Sequence, residues 1–385
     1  MNITHVVRQF SPSVGGLEDA VLNLCMATQE VGTVKNSVVT LNRTFSHRDE
    51  RLSDRAKIGG IKVERIGFFG SSRYPLAPLV LRHLRDSDLV HVHGIDFFFD
   101  YLAITRRLHA KPMVASTHGI FFHTEFARRL KELHFRHITR RSARAYERIF
   151  ASSQSDADTF SRVAPHKTIT MPNGVDIKKW SNVGSVEPLT TMVYIGRFSE
   201  NKRIPLLFPV VRELSSTSQK WRLYVVGKES DFTARQLSAI AAQEGLDGQV
   251  KIIPNPTKRE IAEILKRASY IVSASAYEGF GLSIVEGLSA GLYPLVSSIP
   301  AFASLVHSTG RGQLLDFGNP AEAASIIRNK HLSLARAYSA ERKQNIIAAG
   351  LYDWQSTAAR MIEEYRSILD RGPSLRGGKC QGTVR

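Results

Sequence analysis

The stretch Pro172–Thr190, "PNGVDIKKWSNVGSVEPLT", decides how the chain is divided. It is polar, carries glycine and proline, and closes one long alternation of apolar strands and helical patterns. Directly after it, at Thr191–Gly196, "TMVYIG" starts a second alternation. A polar connection between two such runs reads as an interdomain segment. The 385 residues, 43% of them hydrophobic, have interior enough for about two domains.

Upstream of the connection, "NITHVV", "NSVVTL", "IKVERIG", "LVHVHG", "PMVASTHG", "RIFASS" and "KTITMPNGV" are strand candidates, with helical patterns such as "LEDAVLNLCMATQEV" between them. Downstream come "TMVYIG", "WRLYVVG", "VKIIPN", "YIVSAS" and "YPLVSS", again separated by helices, over roughly 189–348. Most of these strands are apolar runs rather than alternations, the pattern of parallel strands covered on both faces. The fold class expected is α/β, with two parallel-sheet domains facing a central cleft. The expected division is 1–180, then 181–350, a C-terminal helix over 351–370 with reach enough to cross back to the first domain, and a flexible basic tail over 371–385.

Lys and Arg total 52 against 35 acids, a formal charge of +17. Such a surface attracts polyanions, whether phosphorylated substrates, anionic lipid or nucleic acid. No RNA-recognition signature, zinc finger or aromatic platform accompanies the charge, so no nucleic-acid partner is expected. Two cysteines, Cys25 and Cys380, form no disulfide framework. The start "MNITHVVRQF" lacks the charged and apolar regions of a signal peptide, and no window approaches the ~20 apolar residues of a membrane span. A cytoplasmic protein, at most peripheral on the inner membrane face, is the expectation.

Five places could carry chemistry. In "FSPSVGGLEDA", Gly15 and Gly16 stand between a strand and a helix, where bare backbone and free amides can receive a phosphate. A plain tight turn fits them equally well. In "YIGRFSENKR", Arg197 and Lys202 follow a strand end; a planar fork and a compact charge suit a diphosphate, while two solvated loop cations are the plainer reading. In "SAYEGFGLSIVEGLSAG", Ser275–Gly291, Glu278 precedes a glycine turn at Phe280, Gly281 and Leu282. Glu286 is expected in the first turn of the following helix, where a carboxylate is favoured by the helix dipole alone. In "STHGIFFHT", His118 follows a strand end and is either a ligand contact or a structural histidine. His91 and His93 alternate on their strand and share a face; without a nearby acid or cysteine in sequence they do not read as metal ligands. Last, His123–Ile149 sets Phe126, Leu130, Leu133 and Ile138 at helical spacing among Arg128, Arg129, Lys131, Arg136, Arg140, Arg141, Arg144 and Arg148. That is either a basic amphipathic surface for anionic lipid or a core-facing stripe with a solvated back.

Together, "PSVGGLE", "THG", "NGVD", "GRFSENK" and "EGFGLSIVE" stand in the order found in family 4 glycosyltransferases, and the chain up to about residue 370 resembles that family. The resemblance implies a GT-B fold of two Rossmann-like domains and a retaining transfer from a nucleotide sugar. It implies that Gly15 and Gly16 face the donor diphosphate and that Arg197 and Lys202 bind its charge. Glu286 would take the ribose hydroxyls. Glu278, with the amides of Phe280, Gly281 and Leu282, would hold the transferred sugar, and His118 would touch that sugar. The implied catalytic set is His118, Arg197, Lys202 and Glu278, with no metal and no cofactor.

A narrower resemblance, carried by "HVVRQFSPSVGGLE", "GSSRYPLAPLVL", "VHGIDFFFDYLA" and "STHGIFFHT", is to family members that build exopolysaccharide on a lipid carrier. It implies GDP-mannose as donor and a polyprenyl-diphosphate oligosaccharide, cellobiosyl-diphosphopolyprenol, as acceptor. Arg128, Arg129, Lys131, Arg136, Arg140 and Arg141 would then meet the acceptor or an anionic membrane. A UDP-sugar donor or another glycolipid acceptor stays open, as does, more remotely, a non-catalytic protein bound to membrane or nucleic acid. One departure is noted: Arg203 and Ile204 stand where relatives often carry a glycine after the lysine.

Overall fold

The computed structural model describes residues 1–13, 15–45, 49–71, 74–118, 132–216 and 219–371. The chain forms two compact units, one from Met1–Gly174 with the segment from Trp354 onward, the other from Val175–Asp353.

In the first unit ten strands are β1 Asn2–Val7, β2 Lys35–Leu41, β3 Arg55–Ile58, β4 Ile61–Ile66, β5 Phe69–Gly70, β6 Pro75–Leu76, β7 Leu89–His93, β8 Met113–Ser116, β9 Arg148–Ala151 and β10 Thr168–Thr170. Eight of them make one sheet in the order β10-β9-β8-β7-β1-β2-β4-β3, and β5 pairs with β6 apart from it. Every pairing in the large sheet is parallel except β3 with β4. The central strands β1 and β7 are buried along nearly their whole length, which is why they read as apolar runs. Helix α1, Gly16–Glu30, buries Ala20, Val21, Leu24, Cys25, Ala27 and Thr28. The C-terminal helix Trp354–Asp370 belongs to this unit: Met361, Ile362, Tyr365 and Ile368 pack in one cluster with Ile3, Leu89, Val114 and Phe150.

In the second unit the strands are β11 Thr191–Ile195, β12 Arg222–Gly227, β13 Val250–Pro254, β14 Tyr270–Ser273, β15 Tyr293–Ser297 and β16 Gln313–Leu315. They form one wholly parallel sheet in the order β13-β12-β11-β14-β15-β16. Strand order reverses between β11 and β14, the topological switch of doubly wound sheets, where loops at the strand carboxyl ends part and leave room for a ligand. The first sheet has its own reversal, between β1 and β7. The expected α/β class with two parallel sheets is what the chain adopts.

Candidate functional site

In the second unit the loops after β11 and β14 meet at the switch point. Ala276 donates its amide to the Asn201 carbonyl (2.8 Å) and Asn201 Nδ2 donates to the Tyr277 carbonyl (3.3 Å). That splint brings Lys202 Nζ to 2.5 Å from Glu278 Oε1, with both side chains less than one-fifth exposed. Glu278 Oε1 also accepts from Ser275 Oγ (2.8 Å), and Ser275 in turn bonds Ser273 (2.9 Å). Lys202 and Glu278 thus form a shielded pair in which the carboxylate position is set by a serine. Arg197, from the same loop, is exposed and its guanidinium has no hydrogen bond or ion pair among the described residues, so its full donor fork is available to an anion.

The helix Leu282–Ala290 starts at Gly281, whose φ of 96° lies in the left-handed region. A Cβ there would also sit 2.8 Å from the Phe302 ring, so only glycine fits. Among the described residues the amides of Phe280, Gly281 and Leu282 have no backbone or side-chain acceptor, which leaves donors at a helix start. Because the helix begins at Leu282, Glu286 falls in its second turn and no acid stands in the first. The expectation of a first-turn, dipole-held Glu286 is therefore corrected. Its carboxylate is held by Lys179 Nζ at 3.1 Å instead. Lys179, which lies in "NGVDIKKW", also stands 4.9 Å over the Trp180 ring. Sequence reading missed it, because 107 residues separate the two partners.

Arg203 takes the left-handed conformation, φ 48°, between the short 3-10 turns Glu200–Lys202 and Ile204–Leu206. The turn asks for positive φ, which a glycine would meet freely, and this chain meets it with arginine at a steric cost.

In the first unit, Gly15 caps α1 in an extended conformation and Gly16 opens the helix, exposed, with nothing within 4 Å of where a Cβ would stand. A Cβ at Gly15 would meet the Glu18 carboxylate at 2.5 Å, so this helix start already has an acid folded over it. His118 lies just past β8 with φ 51°, a strained state for a non-glycine residue of the kind that clusters at functional sites. Thr117 beside it is tied through Oγ1 to Asp156 (2.8 Å), which also takes the Ser152 hydroxyl (2.6 Å).

His118 does not stand alone. Its Nε2 is 2.7 Å from His93 Nδ1, and His93 Nε2 is 2.9 Å from His5 Nδ1. His5 and His91 pair across β1 and β7 in register, and His91 stacks on His93 with ring centres 4.0 Å apart. His91 is held by Tyr365 (2.6 Å) and Ser116 (2.7 Å). Burial pushes His5 and His118 down to about 4 and His91 and His93 well below their ordinary value, so all four rings are neutral at pH 7. Among the described residues, His5, His91 and His93 bring nitrogens within 4.8 Å of one another, a spacing a metal could use. Every one of those nitrogens already has a hydrogen-bond partner, so the cluster works as a hydrogen-bond network.

Arg128, Arg129 and Lys131, with Phe126 and Leu130, lie outside the described residues. Arg136, Arg140 and Arg141 are exposed on the helical segment that follows, whose Phe135–Thr139 part is a π-helix. Leu133 (56% exposed) and Ile138 (46%) stand out with the arginines, while Phe135 and Thr139 turn inward. The core-facing version of this stripe is corrected for these two residues, which stand exposed with the arginines while Phe135 and Thr139 take the inward positions.

Residues 177–343 match the family described as Glycosyl transferases group 1, and residues 14–179 match Glycosyltransferase Family 4. The GDP-mannose:cellobiosyl-diphosphopolyprenol alpha-mannosyltransferase of Xanthomonas campestris is 39% identical over 370 residues, 96% of this chain and 97% of that protein. The protein of the same name from Komagataeibacter xylinus is 42% identical over 371 residues, 96% of this chain and 94% of its own length. Among solved structures, Anabaena Alr3699/HepE in complex with UDP superimposes with a TM-score of 0.74 at 18% identity, over 95% of this chain and 100% of that one. Sucrose-phosphate synthase from Thermosynechococcus elongatus gives 0.71 at 15% identity, over 96% and 100%. These two likenesses concern the fold.

Proposed function

The chain belongs to the family 4 glycosyltransferases, and from that premise we propose that it moves an α-mannosyl group from GDP-mannose to a polyprenyl-diphosphate-linked oligosaccharide, cellobiosyl-diphosphopolyprenol. The observation that carries the reading is identity of 39–42% along 96% of the chain to enzymes named for that reaction.

The charges of the second unit support it. Arg197 offers an unengaged fork to the donor diphosphate, and Lys202 needs only to swing from Glu278 to the same phosphates. That exchange replaces one anion by another and frees the Glu278 carboxylate to accept from sugar hydroxyls. The amides of Phe280, Gly281 and Leu282 supply neutral donors beside it, and Glu286 accepts from the ribose, released in part from Lys179. His118 meets a hydroxyl of the mannose. Gly15 and Gly16 leave the backbone open to phosphate, provided the Glu18 side chain turns aside.

In the transfer the bond from the anomeric carbon to the phosphate oxygen breaks, and a bond from that carbon to an acceptor hydroxyl oxygen forms. The acceptor proton passes to the departing diphosphate. Arg197 and Lys202 stabilise the charge that grows there, an electrostatic task whose donors are in place beforehand. No carboxylate pair is needed to flank the sugar, unlike a retaining glycosidase, and we read the reaction as metal-free. Chelator should leave turnover unchanged; loss restored by a divalent ion would reverse that point.

The exposed Leu133 and Ile138 among Arg136, Arg140 and Arg141 support peripheral contact with an anionic membrane carrying the lipid acceptor. No described helix is long and apolar enough to cross a membrane. Flotation with anionic vesicles, reversed by salt, is expected, and indifference to lipid charge counts against it. The function itself is tested by a donor screen against a membrane lipid extract. GDP-mannose should give mannosylated lipid and GDP; turnover with UDP-glucose and none with GDP-mannose would replace the donor.

A further inference from the structure

The histidine chain has a direction, and the direction can be derived. At its far end Asn36 Nδ2 donates to the Cys25 carbonyl (2.7 Å) and to Thr28 Oγ1 (2.9 Å), while Thr28 gives its own proton to the Leu24 carbonyl (2.7 Å). A carbonyl only accepts, so the Asn36 amide is fixed with Oδ1 turned the other way. Asn36 Oδ1 lies 3.1 Å from His5 Nε2, and that nitrogen must carry the proton. Neutral His5 then has a bare Nδ1, which can only accept, so His93 donates from Nε2 (2.9 Å). Neutral His93 is bare at Nδ1, so His118 donates from Nε2 (2.7 Å). Neutral His118 is left with a lone pair on Nδ1. That nitrogen is buried and has no hydrogen-bond partner among the described residues.

We infer that Asn36, His5 and His93 are positioning residues: a one-way hydrogen-bond chain from the Cys25 carbonyl holds His118 with its proton on Nε2 and presents Nδ1 as an acceptor for a ligand hydroxyl. This rests on the reading that His118 meets the transferred sugar. The tautomer adds what ligand it takes. A lone pair on a neutral ring repels phosphate oxygen and attracts an O–H, so His118 selects a sugar hydroxyl and does not serve the leaving diphosphate. The unpaired acceptor is costly to bury empty, and the ligand hydroxyl relieves that cost. His5 and His93 are wholly buried on β1 and β7 at the centre of the sheet, so the tautomer is set by the fold before any ligand arrives.

The test uses the full chain, labelled with nitrogen-15 histidine, without substrate, at pH 7.5. The pair of ring signals that disappears in His118→Gln should show a protonated Nε2 and a bare Nδ1. In His93→Leu that ring should turn into a mixture of tautomers. In His93→Gln it should return, because glutamine accepts from His118 through Oε1 and donates to His5 through Nε2. With GDP-mannose and lipid acceptor, His93→Leu should lose about tenfold in kcat/KM and His93→Gln stay within about threefold. A wild-type His118 protonated on Nδ1, or on both nitrogens, overturns the inference. So does an equal loss in both His93 variants when their melting temperatures match, since that is a packing effect. Because the spectrum needs no donor, a chain with the expected tautomer but no turnover of GDP-mannose contradicts the donor reading and leaves the relay standing.

Discussion

In the first unit His118 and the histidines behind it are neutral and shielded; in the second unit Lys202, Glu278, Lys179 and Glu286 stand in ion pairs, with Arg197 left open beside them. His5, His91 and His93 share one face of the first sheet with His118 just past the end of β8, all four pushed down by burial, and directed hydrogen bonds join His5, His93 and His118. In the second unit Lys202 meets Glu278 and Lys179 meets Glu286, each pair partly open to solvent. A buried neutral chain is rigid and fixes one donor and one acceptor. A half-shielded ion pair can trade its partner for a phosphate or a hydroxyl at little net cost in charge. The contrast suits the two tasks proposed for these groups, orientation of an uncharged sugar and capture of a charged diphosphate.

The largest expected effect breaks the charged side. Lys202→Ala should lower turnover on the order of 100- to 1000-fold, because it removes the proposed donor to the leaving diphosphate and strands Glu278. Steady-state kinetics checks it; a change in KM alone would place Lys202 in binding rather than in the transfer.

Acid tests the neutral side. His5 and His118 stand at about 4 in the fold against an ordinary value of 6.5. Above pH 6.5 neither the folded nor the unfolded chain binds these protons. As pH falls from 6.5 to 4 only the unfolded chain takes them up, so stability is lost across that window, by up to roughly 3 kcal/mol for one histidine. Denaturant unfolding at pH 7, 6 and 5 should show the decline, and His118→Gln should flatten it. An unchanged slope would mean that His118 is not held neutral.

Glu286→Ala should raise the donor KM on the order of 10-fold with turnover nearly kept, as the hydrogen-bond acceptor proposed for the ribose is lost. An equal fall in turnover would move Glu286 closer to the chemistry. The smallest effect concerns the loop that carries Lys202. Arg203→Gly relieves positive φ but frees the unfolded chain, so the net gain in stability should be under about 1 kcal/mol. A clear loss on thermal melting would show that the arginine side chain has a role of its own.

Much of this was legible in the sequence. The central strands were read correctly because burial on both faces turns them into apolar runs. Strand β3, "RAKI", was missed because it is an antiparallel edge strand with alternate residues exposed, and β16, "QLL", because three residues carry no period. Arg197, Lys202 and Glu278 could be picked out by residue type beside strand ends. Their pairings could not, since Lys202 and Glu278 are 76 positions apart. The shared face of His91 and His93 followed from strand parity. Their link to His5 and Asn36 needed the register of β1 between β2 and β7, which no local pattern encodes.

The most direct test of the whole account is transfer to a defined acceptor. Purified protein is given GDP-mannose labelled in the sugar, with cellobiosyl-diphosphopolyprenol in detergent or vesicles, and the lipid product is cleaved for linkage analysis. The account predicts labelled mannose on the cellobiosyl unit in α linkage, with one GDP released per sugar moved. Label that stays in the nucleotide, or a β-linked product, would contradict it.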